Sequence, residues 1–415
     1  MATKLTFFPV GNGDMTLIKL DDDAGTTILI DCNIRHAADD EDDDDTRDVA
    51  ADLRERLNRD ADGRPYVDGF LFSHPDTDHC RGLSTHFYLG KLKSYSDDKK
   101  PNAEKRIVIR EMWSSPIVFR RASKDHVLCE DAEAFNDEAK RRVKANRDND
   151  FSVGDGDRIL VLGEDEDGKT DDLDPILVKV DELITKVNGT DVTGFSARLL
   201  APLPGADEEM EEELTKNSSS VILNFEFDAD EAGETKVRFL TGGDAEVGIW
   251  ELLWDKHKDD PSVLEYDLLQ TPHHCSWHSL SRDSWSESDG DAEVSADARS
   301  ALSQIRSGGK IVASSCPIKD DDNDPPCWGA KLEYQDIAED ADGSFHCTGE
   351  YPKEDDVAPM EFEVSDSGFE LLPIPKKKAK SSVAAGPAVL TSGIVKSWGS
   401  ASPAAVQKEG GGRYA

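Results

Sequence analysis

The chain has 415 residues, of which 37% are hydrophobic and 33% charged, and a formal net charge of −39. A surface that acidic repels nucleic-acid backbones and anionic membranes over most of its area, so a role resting on bulk positive charge is excluded. No apolar window reaches the length of a membrane span, and seven scattered cysteines with no CxxC pair point to free thiols in a reducing, cytoplasmic compartment.

The N-terminus carries neither the basic region nor the long apolar core of a secretory signal. From Leu5 to Ile30 the runs LTFFPV, MTLIKL and TTILI, separated by GNGD and DDDAG, predict a three-stranded meander closed by Asp31. Gly11 and Gly13, beside Asp14, suit either a hairpin turn needing positive φ or a loop whose amides face a phosphate. An acidic run from Asp39 to Asp45 precedes a helix over about Thr46 to Asn58, where Val49, Leu53 and Leu57 recur every four residues. The strand DGFLF then delivers the chain to Ser73 and His74.

Next come a strand at RIVIREMW and a charged helical segment from roughly Phe119 to Asn146, whose sparse apolar positions place it at the edge of the core or in an insertion. Strands follow at DRILVLG and ARLLAPLP. SSSVILNFEF and KVRFLTGGD read as two adjacent strands, AEVGIWELLWDKH as a helix, and YDLLQTP as a strand ending at His273. Beyond a Ser-rich acidic loop lie a helix, the strand KIVASSC, a helix near Ala330 to Ala338, and the hairpin MEFEV/GFELLP. Two sheets between helices are the expected arrangement. After Ile374 the composition turns to Ala, Ser, Gly and Pro, with seven basic residues against Glu409. That break marks a low-complexity basic tail over 375–415, either a disordered linker or a segment that docks a protein partner.

The densest chemistry is His74-Pro75-Asp76-Thr77-Asp78-His79, at the end of an apolar strand. Imidazoles and carboxylates converging from one loop suit zinc or manganese. In so Asp-rich a chain the string could be a solvated turn, but other strands also end in metal-type side chains: Asp31, Asp244 and the His273-His274 pair. Ligand sites in α/β architectures lie off such strand ends.

Taken in order, VGNGD, ILIDCN, SHPDTDHCRGL, SSVILNFEF, FLTGGDAE and LLQTPHHCSWHS resemble the metallo-β-lactamase superfamily, and within it the hydrolase domain of ComEC-type DNA-uptake proteins and their stand-alone relatives. The resemblance covers about Leu5 to Leu83 and Asn217 to Ile318. It implies an α/β fold, the αββα sandwich of that superfamily, over 1–374 with an insertion at about 84–216. It further implies that His74 and Asp76 ligate one metal position and Asp78 and His79 the other. Asp244 would bridge or support both, and one of His273 and His274 would be the last imidazole ligand, His273 being favoured as the first after its strand. Asp31 would orient the loop. Gly13, Asp14 and Ser276 would support the site or touch substrate. One or two ions, Zn²⁺ or Mn²⁺, would deprotonate a water that attacks phosphorus or a carbonyl, with Asp78 or Asp244 taking the proton.

Departures from the pattern accompany the match. Asp76 stands where the wider superfamily has a His, which favours a harder ion such as manganese. The imidazole that completes that position has no counterpart: His86 lies too close, His126 falls in the charged segment, and Asn217 or Ser219 is a weak substitute. Cys275 replaces a Gly, as Cys32-Asn33 does after Asp31, and Cys327-Trp328 stands near a family His-Pro. Cys275 is expected to pack as a small hydrophobe rather than to ligate, and Trp250, Trp254 and Trp277 to pack rather than stack bases. His278 and Ser279 could bind substrate or cap a turn. The resemblance implies cleavage of a phosphodiester in a nucleotide or single-stranded nucleic acid, in a bacterial defence or DNA-processing pathway. Alternatives are an amide, ester or thioester hydrolase, and a binding module that has lost its chemistry.

Overall fold

β-branched and aromatic runs from the two ends of the sequence become neighbours in one sheet. The computed structural model describes residues 2–374 apart from 40–42, 44, 45, 126, 205–210, 212, 213, 231 and 289–291. Its strands are β1 (Lys4–Phe7), β2 (Thr16–Lys19), β3 (Thr27–Ile30), β4 (Asn58–Arg59), β5 (Pro65–Leu71), β6 (Phe87–Tyr88), β7 (Ile107–Ser114), β8 (Arg158–Leu162) and β9 (Leu177–Val178). Then follow β10 (Leu183–Ile184), β11 (Lys186–Val187), β12 (Thr190–Asp191), β13 (Phe195–Ala201), β14 (Ile222–Asp228), β15 (Lys236–Leu240), β16 (Tyr266–Gln270), β17 (Ile305–Ala313), β18 (Ser344–Cys347), β19 (Met360–Ser365) and β20 (Gly368–Leu371). The structure is mixed α/β. One sheet runs β20-β19-β1-β2-β3-β5-β7-β8-β9, and the other β10-β13-β14-β15-β16-β17-β18.

The period-2 alternation of the second sheet sorts its side chains to two cores. Leu223, Phe225, Phe239, Leu268 and Val312 join the core of the first sheet. Their neighbours Ile222, Leu240, Leu269 and Ile311 join a second core. Phe7 of β1 meets Phe239 of β15 edge to face at 5.8 Å, and Phe227 of β14 meets Phe369 of β20 at 6.4 Å. The helices are α1 (Val49–Arg56), α2 (Thr77–Cys80), α3 (Leu83–His86), α4 (Pro116–Asp125), α5 (Glu130–Asp148), α6 (Val247–His257), α7 (Ala296–Leu302) and α8 (Trp328–Asp340). Trp250 of α6, Ala298 of α7 and Tyr334 of α8 belong to the second core.

Several sequence expectations need correction. The GNGD segment is not a tight hairpin turn: β1 ends at Phe7 and β2 begins at Thr16, so residues 8–15 form a long connection. The first helix starts at Val49 rather than Thr46, because the Asp48 side chain accepts from the Ala51 amide and caps it there. The charged segment near 119–146 is two helices, and α5 is no edge element. Its Phe135 is fully buried, with ring centroids 4.4 Å from Phe72 and 5.9 Å from Phe70. Arg142 is buried beside it, donating to Glu138 and to the carbonyls of Ile109 and Arg158. A buried arginine satisfied by strand-end carbonyls made this core helix read as polar. Residues 84–216 supply β7, β8 and β9 to one sheet and β10 and β13 to the other.

The chain divides into two units, Met1–Pro373 and Ile374–Ala415. The basic tail and its expected protein partner lie outside the described residues, as does His126. Among the described residues no helix is long and apolar enough to cross a membrane. All seven cysteines are free.

The Phe135 cluster gives a stability prediction. Phe135→Ala is expected to lower the unfolding free energy by about 3–5 kcal/mol through lost burial and an unfilled cavity, measured by urea denaturation. A loss below about 1 kcal/mol, typical of a surface site, would place α5 outside the core.

Candidate metal centre

Parallel pairing gathers the candidate residues at one end of the strands. β3 and β5 run parallel, as do β15 and β16, so Asp31, the His74 loop, Asp244 and the His273-His274 pair all follow C-terminal strand ends. Asp14 enters from the connection into β2, whose Thr16 pairs with Ile30 at the end of β3. The sheets are tied together here: Thr16 Oγ1 donates to Gln270 Oε1 at 3.0 Å, and the Val221 amide to the Ser73 carbonyl at 3.0 Å. Gly13 is required by close approach. Its φ is +147°, and a Cβ there would stand 2.0 Å from Asn33 Nδ2 and 2.6 Å from the Asp78 carbonyl oxygen. The backbone is strained at the site itself: Asp31, His273, His274 and Cys275 all have positive φ, at a cost on the order of 1 kcal/mol or more each.

Asp244 lies at the centre and is 2% exposed. One oxygen, Oδ2, is 3.2 Å from His74 Nε2 and 3.7 Å from His273 Nε2. The other, Oδ1, is 3.0 Å from His79 Nε2 and 3.5 Å from His274 Nε2. The carboxylate is thus shared between two imidazole pairs. Asp76 Oδ2 lies 3.7 Å from His74 Nε2 on the first side. On the second side Asp78 Oδ2 lies 3.4 Å from His274 Nε2, and Asp14 Oδ1 3.4 Å from His274 Nδ1. Asp31, fully buried, accepts from the Ser73 amide at 2.7 Å and holds His79 Nδ1 at 2.8 Å, which aims His79 Nε2 at Asp244.

These groups fit a divalent ion better than they fit each other. Among the described residues, His74 Nε2, Asp244 Oδ1, Asp14 Oδ1 and His274 Nδ1 are buried and make no hydrogen bond, although opposite charges lie within 4 Å. Lone pairs and carboxylate oxygens converging without mutual alignment are what a shared cation requires. Two sets place one donor atom from each residue within 4.8 Å of the others: Asp14, His79 and His274, and His74, His79 and Asp244. The clusters can therefore hold a divalent metal.

Electrostatics agree with the geometry. Burial and the adjacent His79 oppose the charged form of His74, yet Asp244 and Asp76 outweigh them and raise it to about 9. Burial likewise opposes a charged His274, and Asp244, Asp14 and Asp78 raise it to about 10. His79, between Asp244 and Asp31, is pushed well above its usual value against the same burial. Burial pushes the Asp76 carboxyl up, but His74 and Lys216 hold it down at about 2. Burial keeps His273 below the usual imidazole range.

His273 and His274 face opposite oxygens of Asp244, and among the described residues His274, not the favoured His273, falls in a set of donor atoms close enough to share an ion. Ser276 does not join the polar centre: its Oγ accepts from the His278 amide and caps the turn Trp277–Ser279. Cys275 packs in the second core with Trp250 and Trp277, and its φ of 69° is left-handed backbone that favours glycine. His86 is paired with Asp39 and Arg54, away from the site. Asn217 donates to Glu246, and Ser219 Oγ to the Lys216 carbonyl. Sequence reasoning missed Ser73, which binds Asp31, and Lys216, which is ion-paired to Asp76. Ser73 was visible only as the residue before the motif. Of the site residues, Asp76 and Asp78 also line a cavity of about 290 Å³, together with Leu128, Cys129 and Lys216.

No protein-family model and no curated relative matches the sequence. Among solved structures, unliganded yeast PDE1 aligns with a TM-score of 0.38 and 13% identity, over 83% of this chain and 97% of that one. The chemistry of the site rests on its own residues.

A pH dependence follows from the raised imidazoles. His74, His79 and His274 stay protonated to higher pH than free histidine and must lose those protons to ligate, so metal affinity should rise with pH up to about 9 to 10. Calorimetric titration with Mn²⁺ in buffers of different ionisation enthalpy should register proton release at pH 7. An affinity constant from about pH 6 to 9, the range above the ordinary imidazole value, would contradict the assignment.

Proposed function

We propose that this chain is a metal-dependent hydrolase with the αββα sandwich of the metallo-β-lactamase fold, using Zn²⁺ or Mn²⁺ to cleave a phosphodiester in a nucleotide or short single strand. The observation that carries this reading is the shared Asp244 carboxylate, with a separate pair of imidazoles at each oxygen. Asp78, His79 and His274 would hold an ion on one side of Asp244, and His74, Asp76 and His273 line the other side. An ion so held supplies Lewis acidity and lowers the pKa of a water.

The protein's own groups divide the remaining work. Asp244, 2% exposed, is too deeply buried to exchange protons with substrate, so it would act as a fixed carboxylate ligand. Asp78 is 32% exposed and lines the cavity, which makes it the carboxylate placed to take a proton from an attacking water. Asp31 and Ser73 keep His79 oriented. The cavity is small and the chain carries −39 overall, which favours a short substrate over a duplex. His278, 46% exposed, stands outside the centre.

A panel of bis-p-nitrophenyl phosphate, single-stranded oligonucleotides, nucleotides and carboxylic esters, assayed with added Mn²⁺ or Zn²⁺, tests the proposal. Phosphodiester turnover is expected, and Asp78→Asn should lower kcat by about 10²- to 10⁴-fold while retaining the fold by circular dichroism. Turnover confined to esters would reverse the substrate class. Metal uptake with no turnover of either class would leave a binding module.

A further inference from the structure

The two sides of Asp244 are not equivalent. On one side His79 and His274 present Nε2 to the oxygen Oδ1, with Asp78 beside His274 Nε2 and Asp14 behind the rings at their Nδ1 atoms, and among the described residues the side-chain partners of these carboxylates are imidazoles. On the other side Lys216 reaches Asp76. It bonds Oδ2, the same oxygen that faces His74 Nε2. Lys216 sits immediately before the turn Asn217–Ser219, which leads into β14, so a strand-anchored turn carries it. Its side chain is 24% exposed and lines the 290 Å³ cavity with Asp76 and Asp78.

A divalent ion between His74 and Asp76 would lie against that ammonium, and two like charges competing for one carboxylate oxygen repel. An ammonium has three donors and no acceptor. Among the described residues its hydrogen-bond partner is Asp76, which leaves donors for an anionic oxygen in the cavity.

We infer that Lys216 is the built-in second cation of the centre: one divalent ion binds on the Asp78, His79 and His274 side, and Lys216, held by Asp76, binds an anionic oxygen of the substrate. This rests on the hydrolase reading above. It makes His74, Asp76 and His273 a frame that orients Asp244 and Lys216 rather than the ligands of a second ion.

The test uses the full chain, loaded with Mn²⁺, dialysed and analysed for metal, with inorganic phosphate as the anion probe in calorimetry. The wild type should hold one ion per chain. Lys216→Met should gain a second and, when loaded with only one ion per chain, bind phosphate about 10- to 100-fold more weakly, the range for losing a hydrogen bond to a charged group. Lys216→Arg, which keeps the charge, should match the wild type in both. Lys216→Gln replaces the Met variant if circular dichroism shows the latter unfolded. Two ions in the wild type, or a charge-removing variant unchanged in either quantity, overturns the inference. No ion in any of the proteins would overturn the metal centre and this inference with it. The expected ion counts and phosphate affinities without phosphodiester turnover would refute the substrate class alone.

Discussion

The carboxylate of Asp244 is the constraint around which the molecule is organised. A buried carboxylate is costly to desolvate unless charge and hydrogen bonds compensate it. Here the compensation comes from four imidazoles delivered by two loops, two to each oxygen. Protonated imidazoles can balance the charge when no ion is present, and Asp244 is accordingly held well below the usual carboxyl range despite its burial. Unaligned contacts and unsatisfied atoms show that this balance is imperfect. A divalent ion held by either set of donors would satisfy several of these atoms.

The fold makes that arrangement possible through parallel strand ends. β3 with β5, and β15 with β16, each deliver a loop to the same rim. Tight contacts then fix the loops: the His273 amide donates to the Gly243 carbonyl, the Cys32 amide to the His79 carbonyl, and the Asp14 amide to the Asp78 carbonyl. Gly13 and the run of positive φ at His273, His274 and Cys275 are the local cost of bringing backbone that close. Conformational strain stored at a site and offset by the surrounding core is the usual signature of a functional position.

Much of this was legible in the sequence because it is local. The strand-end ligands and the His74 to His79 motif are short patterns, and the terminal strands alternate cleanly. What escaped detection depends on tertiary context. Helix α5 looked peripheral because buried Arg142 and Glu138 occupy positions that an apolar pattern would have filled. Two consecutive histidines looked redundant, since sequence alone does not reveal left-handed backbone that sends their rings to opposite oxygens. Lys216 was invisible as a site residue: it lies in a polar stretch, and only the turn before β14 brings it to Asp76. Two-residue strands such as β9 and β10 are too short to show a period.

The chain's net charge of −39 discourages long polyanions, while Lys216, beside Asp76 and Asp78 in the cavity, and an ion held as proposed would attract a small anionic group. The account stands on the claim that the shared carboxylate binds metal. Anomalous diffraction at the manganese edge from Mn²⁺-soaked crystals tests it most directly. The account predicts the strongest peak beside Asp244 Oδ1, within ligand distance of His79 Nε2 and His274 Nε2. Crystals with manganese elsewhere, and with the Asp244 oxygens closed into hydrogen bonds with His79 and His74 alone, would contradict it.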